Sequence, residues 1–286
     1  MNIISVSRRT DIPAFYSLWF ENRLKAGFTE YLNPFSQKKF KVSLLPIDVS
    51  AFVFWSKNFK SFLPLLKKMK SNYRFYCHFT LNDYPTALEK AMPPLAERIN
   101  TFKTLAEISS PSQVIWRYDP IVLTAKTNKD HHLEKFRTIA KALEGYTLSC
   151  YISFVHLYKK TLNNLENDGI KLLEDDLNLK LALTKSLIEA GKQYKINLYA
   201  CCNDYLLLSG INKGHCIDTE ILKLSYSDFT YSAKPAPTRK ECGCVKSIDI
   251  GKYNSCIHDC SYCYANLNKN LATKTYQEHK TNNTLL

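Results

Sequence analysis

Three cysteines near the end of the chain are spaced closely enough to bind one metal centre. Cys256, Cys260 and Cys263 form a C-x3-C-x2-C array, and Tyr262 directly precedes the last of them. Thiolates are soft ligands that suit iron–sulfur clusters, zinc or copper(I), and three on one loop can hold three corners of a 4Fe-4S cubane. Because zinc ribbons usually present two C-x2-C knuckles, the asymmetric spacing favours an iron–sulfur cluster with one iron left open.

The array resembles the cluster loop of the radical S-adenosylmethionine (SAM) superfamily, in which three cysteines ligate a 4Fe-4S cluster. Cys256, Cys260, Tyr262 and Cys263 match that pattern position by position. The resemblance implies that SAM takes the open iron through its amino and carboxylate groups, and that Tyr262 lies near the adenine. It also implies that the reduced cluster cleaves SAM to start radical chemistry, with an electron donor such as flavodoxin or ferredoxin.

Two features of the sequence depart from that superfamily. The cluster loop normally follows the first barrel strand, whereas this array follows a strand predicted over residues 245–250, an order that a circular permutation explains. A Gly-Gly-Glu run that usually helps to hold the amino group of SAM is also absent. The nearest candidates by position for that role are Thr80, Asn82 and Ser153.

Taken whole, the chain resembles an uncharacterised bacterial family that carries a radical-SAM-like cysteine cluster at its C-terminus. The segments that carry this resemblance are residues 7–13 (SRRTDIP), 54–58 (FWSKN), 116–120 (WRYDP) and the final Cys-rich run. This resemblance spans most of the sequence and implies no particular substrate.

Five further cysteines lie at the end of the sixth predicted strand or in the connection before the array. They are Cys201, Cys202, Cys216, Cys242 and Cys244. Four of them are enough to bind a second iron–sulfur cluster, and the alternative is that all five are unligated thiols. The ligand count also allows a zinc site from Cys242, Cys244, Cys260 and Cys263.

The other candidate active-site residues are polar residues at the carboxyl ends of the predicted strands, since β/α barrels place their active sites there. Arg117 and Asp119 share one strand face, where they serve either a ligand or a structural ion pair. Arg8 and Arg9 follow the first strand and Lys57 follows the second. These cations are suited to anionic groups such as carboxylates and phosphates.

Strand-like and helical runs alternate along most of the chain. Strands are predicted over residues 2–7, 51–55, 74–81, 113–118, 147–154, 197–201 and 245–250. Helices are predicted from about residue 13 and over residues 62–70, 86–107, 129–144 and 174–194. This alternation indicates βαβ units and a mostly parallel sheet. It favours a TIM-like β/α barrel, complete or partial, over a doubly wound open sheet.

Length and composition allow one large domain. We predict a barrel over residues 1–240, a Cys-rich segment over 241–266 that completes it, and a flexible tail over 267–286. No signal-peptide pattern opens the sequence and no apolar run approaches the roughly 20 residues that span a bilayer, so we expect a cytoplasmic protein with reduced thiols. The net charge of +13 favours anionic partners, nucleic acid among them, unless it reflects a lysine-rich solvated surface.

The sequence therefore predicts a radical SAM-type enzyme that uses a 4Fe-4S cluster and SAM on an unidentified substrate. The basic strand ends favour an anionic substrate. The alternative is a structural zinc module on a barrel or nucleic-acid-binding protein. Iron with acid-labile sulfide supports the first prediction, and zinc supports the second.

Overall fold

The computed structural model describes residues 1–286 and is built on one eight-stranded sheet. Every neighbouring pair of strands in this sheet is parallel. The strands are β1 (Asn2–Val6), β4 (Val49–Ser56), β5 (Phe75–Thr80), β6 (Val114–Ile121), β7 (Ser149–Phe154), β8 (Asn197–Ala200), β9 (Asn212–Lys213) and β10 (Ile248–Asp249). A separate antiparallel hairpin consists of β2 (Phe28–Leu32) and β3 (Lys39–Ser43). The predicted α/β chain with a parallel sheet is confirmed.

The order of the strands is β10-β1-β4-β5-β6-β7-β8-β9. Seven of them follow one another in chain order, as in a barrel, and the last strand joins beside the first. The outer strands β9 and β10 are not paired, so the closed form of the predicted barrel is absent. The segments next to these two strands do meet, because the Val245 amide donates to the Ile217 carbonyl at 3.1 Å.

Nine α-helices connect the strands, and their starts follow from local sequence. They are α1 (Ile12–Phe15), α2 (Ser17–Ala26), α3 (Leu63–Met69), α4 (Leu95–Ile108), α5 (Lys129–Leu143), α6 (Lys159–Asn167), α7 (Leu177–Gln193), α8 (Thr219–Ser225) and α9 (Lys269–Glu278). Asp11 caps α1 by accepting from the Ala14 amide, and Asn128 caps α5 by accepting from the His131 amide. Both helices begin within a residue of the predicted positions.

Two predicted boundaries need correction, and two helices were not predicted. The helix predicted over residues 86–107 begins only at Leu95, because Pro93 and Pro94 cannot continue a helix from the preceding segment. Helices α6 and α8 form where no helix was predicted. The strand predicted over residues 245–250 shrinks to the two residues of β10.

Residues 267–286, predicted to be a flexible tail, contain α9 and dock on the N-terminal part of the chain. Asn268 caps α9 by accepting from the Leu271 amide. Trp19 donates its indole N–H to the Asn283 carbonyl at 2.9 Å, and the Thr29 hydroxyl donates to the Thr284 carbonyl at 2.9 Å. Side chains of the segment contribute as well, since the Tyr276 ring packs edge-on against Tyr16 and Leu286 is buried. The polar composition hides this docking, because a few isolated anchoring groups give no periodic pattern.

The two faces of the sheet bury different clusters. The larger cluster, of 46 residues, includes the outward side chains Cys77 and Phe79 of β5 and the helices that pack on them. The inner face carries a smaller apolar cluster of 13 residues that includes Tyr76 of the same strand. Towards the carboxyl ends the inner side chains become polar, as at Thr80. No helix of the structure has the length and apolar character that crossing a membrane requires.

Candidate functional site

A cavity of about 750 Å³ opens at the carboxyl ends of the central strands. Small-molecule sites commonly occupy about 300–1,000 Å³, so this volume is sufficient for a cofactor together with a substrate group. Seven of the ten cysteines line the cavity, which brings together two groups that are far apart in sequence. They are Cys202, Cys216, Cys242, Cys244, Cys256, Cys260 and Cys263.

The predicted array forms a compact turn after β10, which we call the cysteine loop (residues 256–263). Asp259 has a φ of 54°, in the left-handed region that Asp adopts more readily than most residues, and it directs the chain into Cys260. The Cys263 amide donates to the Cys260 carbonyl at 3.1 Å, and the Ala265 amide donates to Cys263 Sγ at 3.3 Å. Local hydrogen bonds therefore hold Cys256, Cys260 and Cys263 within one turn.

Asp11 fastens the cysteine loop to the N-terminal part of the sheet. Its Oδ1 caps α1, while its Oδ2 accepts from the Lys57 amide at 2.8 Å. The same Oδ2 lies 2.6 Å from Nε2 of His258, a residue of the cysteine loop. One buried carboxylate thus fixes the segment after β1, the segment after β4 and the loop relative to one another.

Lys57 is held in a second buried network with Glu89 and Tyr262. Lys57 Nζ lies 2.7 Å from Glu89 Oε1 and donates to the Tyr262 hydroxyl at 2.9 Å, while Tyr262 donates to Glu89. The backbone of Glu89 also forms a β-bridge with that of Cys260. The network orients the aromatic ring of Tyr262. It also pairs the positive charge of Lys57 with Glu89, whereas the sequence analysis assigned that charge to an anionic ligand.

Arg8 and Arg9 share a single buried carboxylate, Asp249 of β10. The Nε atoms of Arg8 and Arg9 lie 3.6 Å and 3.5 Å from its two oxygens. The hydroxyls of Ser5 and Ser7 also donate to Asp249. Burial alone raises the pKa of Asp249, but the two guanidinium groups overcome this effect and hold it below its usual value. Both arginines line the cavity, and together they retain one uncompensated positive charge.

Arg117 and Asp119 form an ion pair on the cavity wall, with Arg117 Nε 3.1 Å from Asp119 Oδ2. Ser153 donates its hydroxyl to the same carboxylate. Thr80 and Ser153 both line the cavity, as the sequence suggested for residues that contact SAM. Asn82 does not, because its side chain donates to the Asp119 carbonyl and accepts from the Asp119 amide. Its role is to hold the end of β6.

The five remaining predicted cysteines meet beyond the ends of β8 and β9. Cys201 Sγ lies 2.9 Å from Cys216 Sγ and 4.0 Å from Cys202 Sγ. Cys201 is buried behind the cavity wall, whereas the other four line it. We call those four, Cys202, Cys216, Cys242 and Cys244, the second thiol group. No three His, Cys, Asp or Glu side chains are arranged to hold a single metal ion, so the predicted zinc set is not assembled.

Cys216 of the second thiol group differs in its protonation from the three cysteines of the cysteine loop. Burial raises the pKa of Cys256, Cys260 and Cys263, so these thiols stay protonated until a positive charge binds them. Hydrogen bonds from neighbouring cysteines and the charge of Arg117 lower the pKa of Cys216 well below its usual value. The cysteine loop therefore depends on a bound cation for its thiolates, whereas Cys216 is already stabilised as a thiolate.

The cavity wall is basic, with six cations and three aspartates. The cations are Arg8, Arg9, Lys57, Arg117, Lys160 and Arg239. Lys160 and Arg239 have no carboxylate within 4.0 Å; the ammonium of Lys160 instead lies 5.1 Å from the centre of the Tyr253 ring. Two further wall residues, Thr10 and His258, have a buried polar atom without a partner: Oγ1 and Nδ1, respectively. A polar, anionic ligand would satisfy these groups.

Sequence reasoning missed Glu89, Asp249 and His258. Glu89 fell inside a predicted helix, and Asp249 inside a predicted strand, so neither was considered as a polar partner. His258 stands within the cysteine array itself, and its position between two candidate ligands is the one local signal that identifies it. Their partners are more than 30 residues away, so the pairings required the structure.

A comparison with curated proteins gives no match. Residues 3–265 match a family model described as a domain of unknown function, DUF1848. The match includes the whole sheet, the second thiol group and the cysteine loop. The chain therefore belongs to the DUF1848 family, whose domain here gathers seven cysteines around one cavity.

Proposed function

We propose that this protein is a radical SAM-type enzyme whose cysteine loop binds a 4Fe-4S cluster. The observation that carries the proposal is that Cys256, Cys260 and Cys263 all line one cavity, together with Tyr262. A cluster bound by these three thiolates keeps one iron for SAM and supplies the electron that cleaves SAM reductively. That electron comes from an external donor such as flavodoxin or ferredoxin.

The donor set fits such a cluster better than it fits a single zinc ion. A structural zinc site takes four ligands, whereas the cysteine loop offers three thiols on one turn. A cubane also binds each thiolate through a different iron, which spreads the ligands more widely than a single ion does. This agrees with thiols that line the cavity without converging on one point. The zinc alternative lacks an observation of this kind.

The residues of the wall bind and orient SAM in this proposal. Thr80 and Ser153 present hydroxyls at the strand ends, and Thr10 and His258 add the two unpartnered polar atoms. We assign the SAM amino and carboxylate groups to this set, in place of the missing Gly-Gly-Glu run. Tyr262, fixed by Glu89 and Lys57, presents its ring to the adenine.

The substrate is an anion in this proposal, because two cations of the wall are free to meet it. Lys160 and Arg239 lack acidic partners, whereas Arg117 is neutralised by Asp119. A carboxylate or phosphate placed between them in the cavity gains attraction without breaking an existing ion pair.

Anaerobic purification tests the proposal. The protein is expected to be brown and to contain iron and acid-labile sulfide, and reduction is expected to give an electron paramagnetic resonance (EPR) signal that changes when SAM is added. The variant Cys256→Ala/Cys260→Ala/Cys263→Ala should lose the SAM-responsive signal, whereas Cys150→Ala, which changes a buried strand thiol, should keep it. Colourless protein with stoichiometric zinc after anaerobic reconstitution would contradict the proposal.

A further inference from the structure

We infer that the second thiol group, Cys202, Cys216, Cys242 and Cys244, binds a second 4Fe-4S cluster through four thiolates. These four side chains line the same cavity as the cysteine loop but belong to segments after β8 and β9 and before β10. Full ligation by four cysteines leaves no open iron, which distinguishes this cluster from the one in the cysteine loop. The inference concerns separate residues and does not rest on the proposed function.

Specific hydrogen bonds bring the three segments together. The Val245 amide donates to the Ile217 carbonyl at 3.1 Å, which joins the segment of Cys244 to that of Cys216. The Glu241 carboxylate accepts from the Asp204 amide at 2.8 Å, which joins the segments of Cys242 and Cys202. Residues as far apart as 202 and 244 are thus positioned by hydrogen bonds rather than by apolar contact alone.

The Cys216 segment is also anchored to the floor of the cavity. Tyr76 donates its hydroxyl to the Cys216 carbonyl at 2.9 Å, and His78 Nε2 lies 2.7 Å from the same oxygen. Both side chains come from the inner face of β5. Tyr76 also accepts from the Asp218 amide at 3.0 Å, so the chain is fixed from Cys216 to Asp218.

Each sulfur of the second thiol group has a polar neighbour, as the thiolate ligands of a cluster usually have. The Cys201 thiol donates to Cys202 Sγ at 4.0 Å. The other contacts are Arg117 Nη1 donating to Cys216 at 3.1 Å, the Ile217 amide donating to Cys244 at 3.3 Å, and the Thr238 hydroxyl 3.6 Å from Cys242.

Unligated thiols explain this arrangement less well. Cys77 and Cys150 serve as the comparison, because both are fully buried in strands, among apolar side chains of the larger cluster. Cys202, Cys216 and Cys244 are also buried, within the smaller apolar cluster. Unlike Cys77 and Cys150, however, all four members of the second thiol group line the cavity, and N–H donors are directed at the sulfurs of Cys216 and Cys244. Cys202 also has a φ of 55°, a left-handed conformation that is costly for a residue with a Cβ and that concentrates at functional sites.

Zinc is the other metal that four thiolates suit, and two observations favour the cluster. Structural zinc sites usually contain short C-x2-4-C knuckles, whereas the only close pair here is Cys242-x-Cys244. Hydrogen bonds to sulfur tune a reduction potential, which matters for an iron–sulfur cluster and not for redox-inactive zinc.

The test uses the variant Cys256→Ala/Cys260→Ala/Cys263→Ala, in which the cysteine loop cannot bind metal. After anaerobic reconstitution it is expected to hold about four iron and four sulfide per chain, against about eight of each in wild type. Its reduced EPR signal should not respond to SAM. Adding Cys216→Ala or Cys244→Ala should remove this iron, whereas adding Cys77→Ala or Cys201→Ala should retain it.

Background iron in the triple variant, with wild-type circular dichroism, would overturn the inference, and so would one zinc per chain in place of iron. If the Cys216 and Cys244 variants fail to fold, the iron content of wild type decides: about four rather than about eight iron per chain contradicts a second cluster. The proposed function is tested independently by Cys216→Ala in the otherwise wild-type chain. A SAM-responsive cluster that survives there supports the proposed function whatever the outcome for the second site.

Discussion

Replacing Lys57 by methionine is expected to destabilise the protein by about 3 kcal/mol. Lys57 Nζ lies 2.7 Å from Glu89 Oε1, and the two side chains are only 14% and 1% exposed. Removing one partner of a buried ion pair costs about 3–5 kcal/mol, because the other charge is left uncompensated. We expect the lower end of that range, since Arg98 Nη1 lies 4.0 Å from Glu89 and the Tyr262 hydroxyl still donates to it.

The double variant Lys57→Met/Glu89→Gln isolates the contribution of the pair. It removes both charges, so its loss of stability should be at least about 2 kcal/mol smaller than the sum of the two single losses. Urea denaturation followed by far-UV circular dichroism, under anaerobic conditions, measures these free energies. Lys60→Met is the matched control: its ion pair with Glu97 is largely exposed, so its stability should lie within about 0.5 kcal/mol of wild type. Additive losses at Lys57 and Glu89 would refute the reasoning.

The same pair predicts a pH dependence. Burial raises the pKa of Glu89, but the charge of Lys57 overcomes this effect and holds the pKa below the usual value of 4.5. The stability that Glu89 contributes is therefore present above that pH and lost as the pH falls below it. In Lys57→Met the raising effect of burial prevails, so Glu89 takes up a proton more readily. The loss of stability in this variant should be smaller at pH 5 than at pH 7.

Three further predictions concern the cavity wall and helix α5. Thr80→Ala and Ser153→Ala should each raise the dissociation constant of SAM, measured by calorimetry; unchanged affinity in both would remove them from the SAM site. Arg117→Met should lower the reduction potential of the second cluster, since it removes the guanidinium that donates to Cys216 at 3.1 Å, and a redox titration with an unchanged potential would argue against that contact. Burial lowers the pKa of His132 to about 4, so its stabilising contribution is present above the usual value of 6.5 and declines as the pH falls towards 4. Between pH 7 and pH 5 wild type should lose about 2 kcal/mol more stability than His132→Gln, and equal losses would contradict this.

The sequence predicted the elements whose signals are local. The strands β1 and β4 to β8 stand where apolar runs end in charged or polar residues, and Asp11 before Pro13 marked the start of α1. The docked C-terminal segment was missed because it is polar overall, and its few anchoring groups, which include backbone carbonyls and the side chains of Tyr276 and Leu286, form no periodic pattern. Closure of the barrel depends on whether β9 and β10 pair. Because strands of two residues give no periodic signal, the sequence could not predict that the sheet stays open.

Only part of the candidate site was predicted, because a single sequence shows local patterns and not contacts between distant residues. The spacing of Cys256, Cys260 and Cys263 is a local pattern, and the structure places all three on the cavity wall. Lys57 was predicted as a ligand for an anion, but its partner Glu89 lies 32 residues further along the chain. Such pairings follow from the order of strands in the sheet, which a single sequence does not specify.

The central claim is that the cysteine loop brings a cluster and SAM together in the cavity, and SAM cleavage tests it most directly. Anaerobically reconstituted wild type, reduced with dithionite and given SAM alone, should form 5'-deoxyadenosine and methionine slowly and in equal amounts. Cys256→Ala/Cys260→Ala/Cys263→Ala should form neither product, while Cys150→Ala should match wild type. Wild-type protein that holds a reduced 4Fe-4S cluster and yet forms no 5'-deoxyadenosine, and whose EPR signal is unchanged by SAM, would contradict the account.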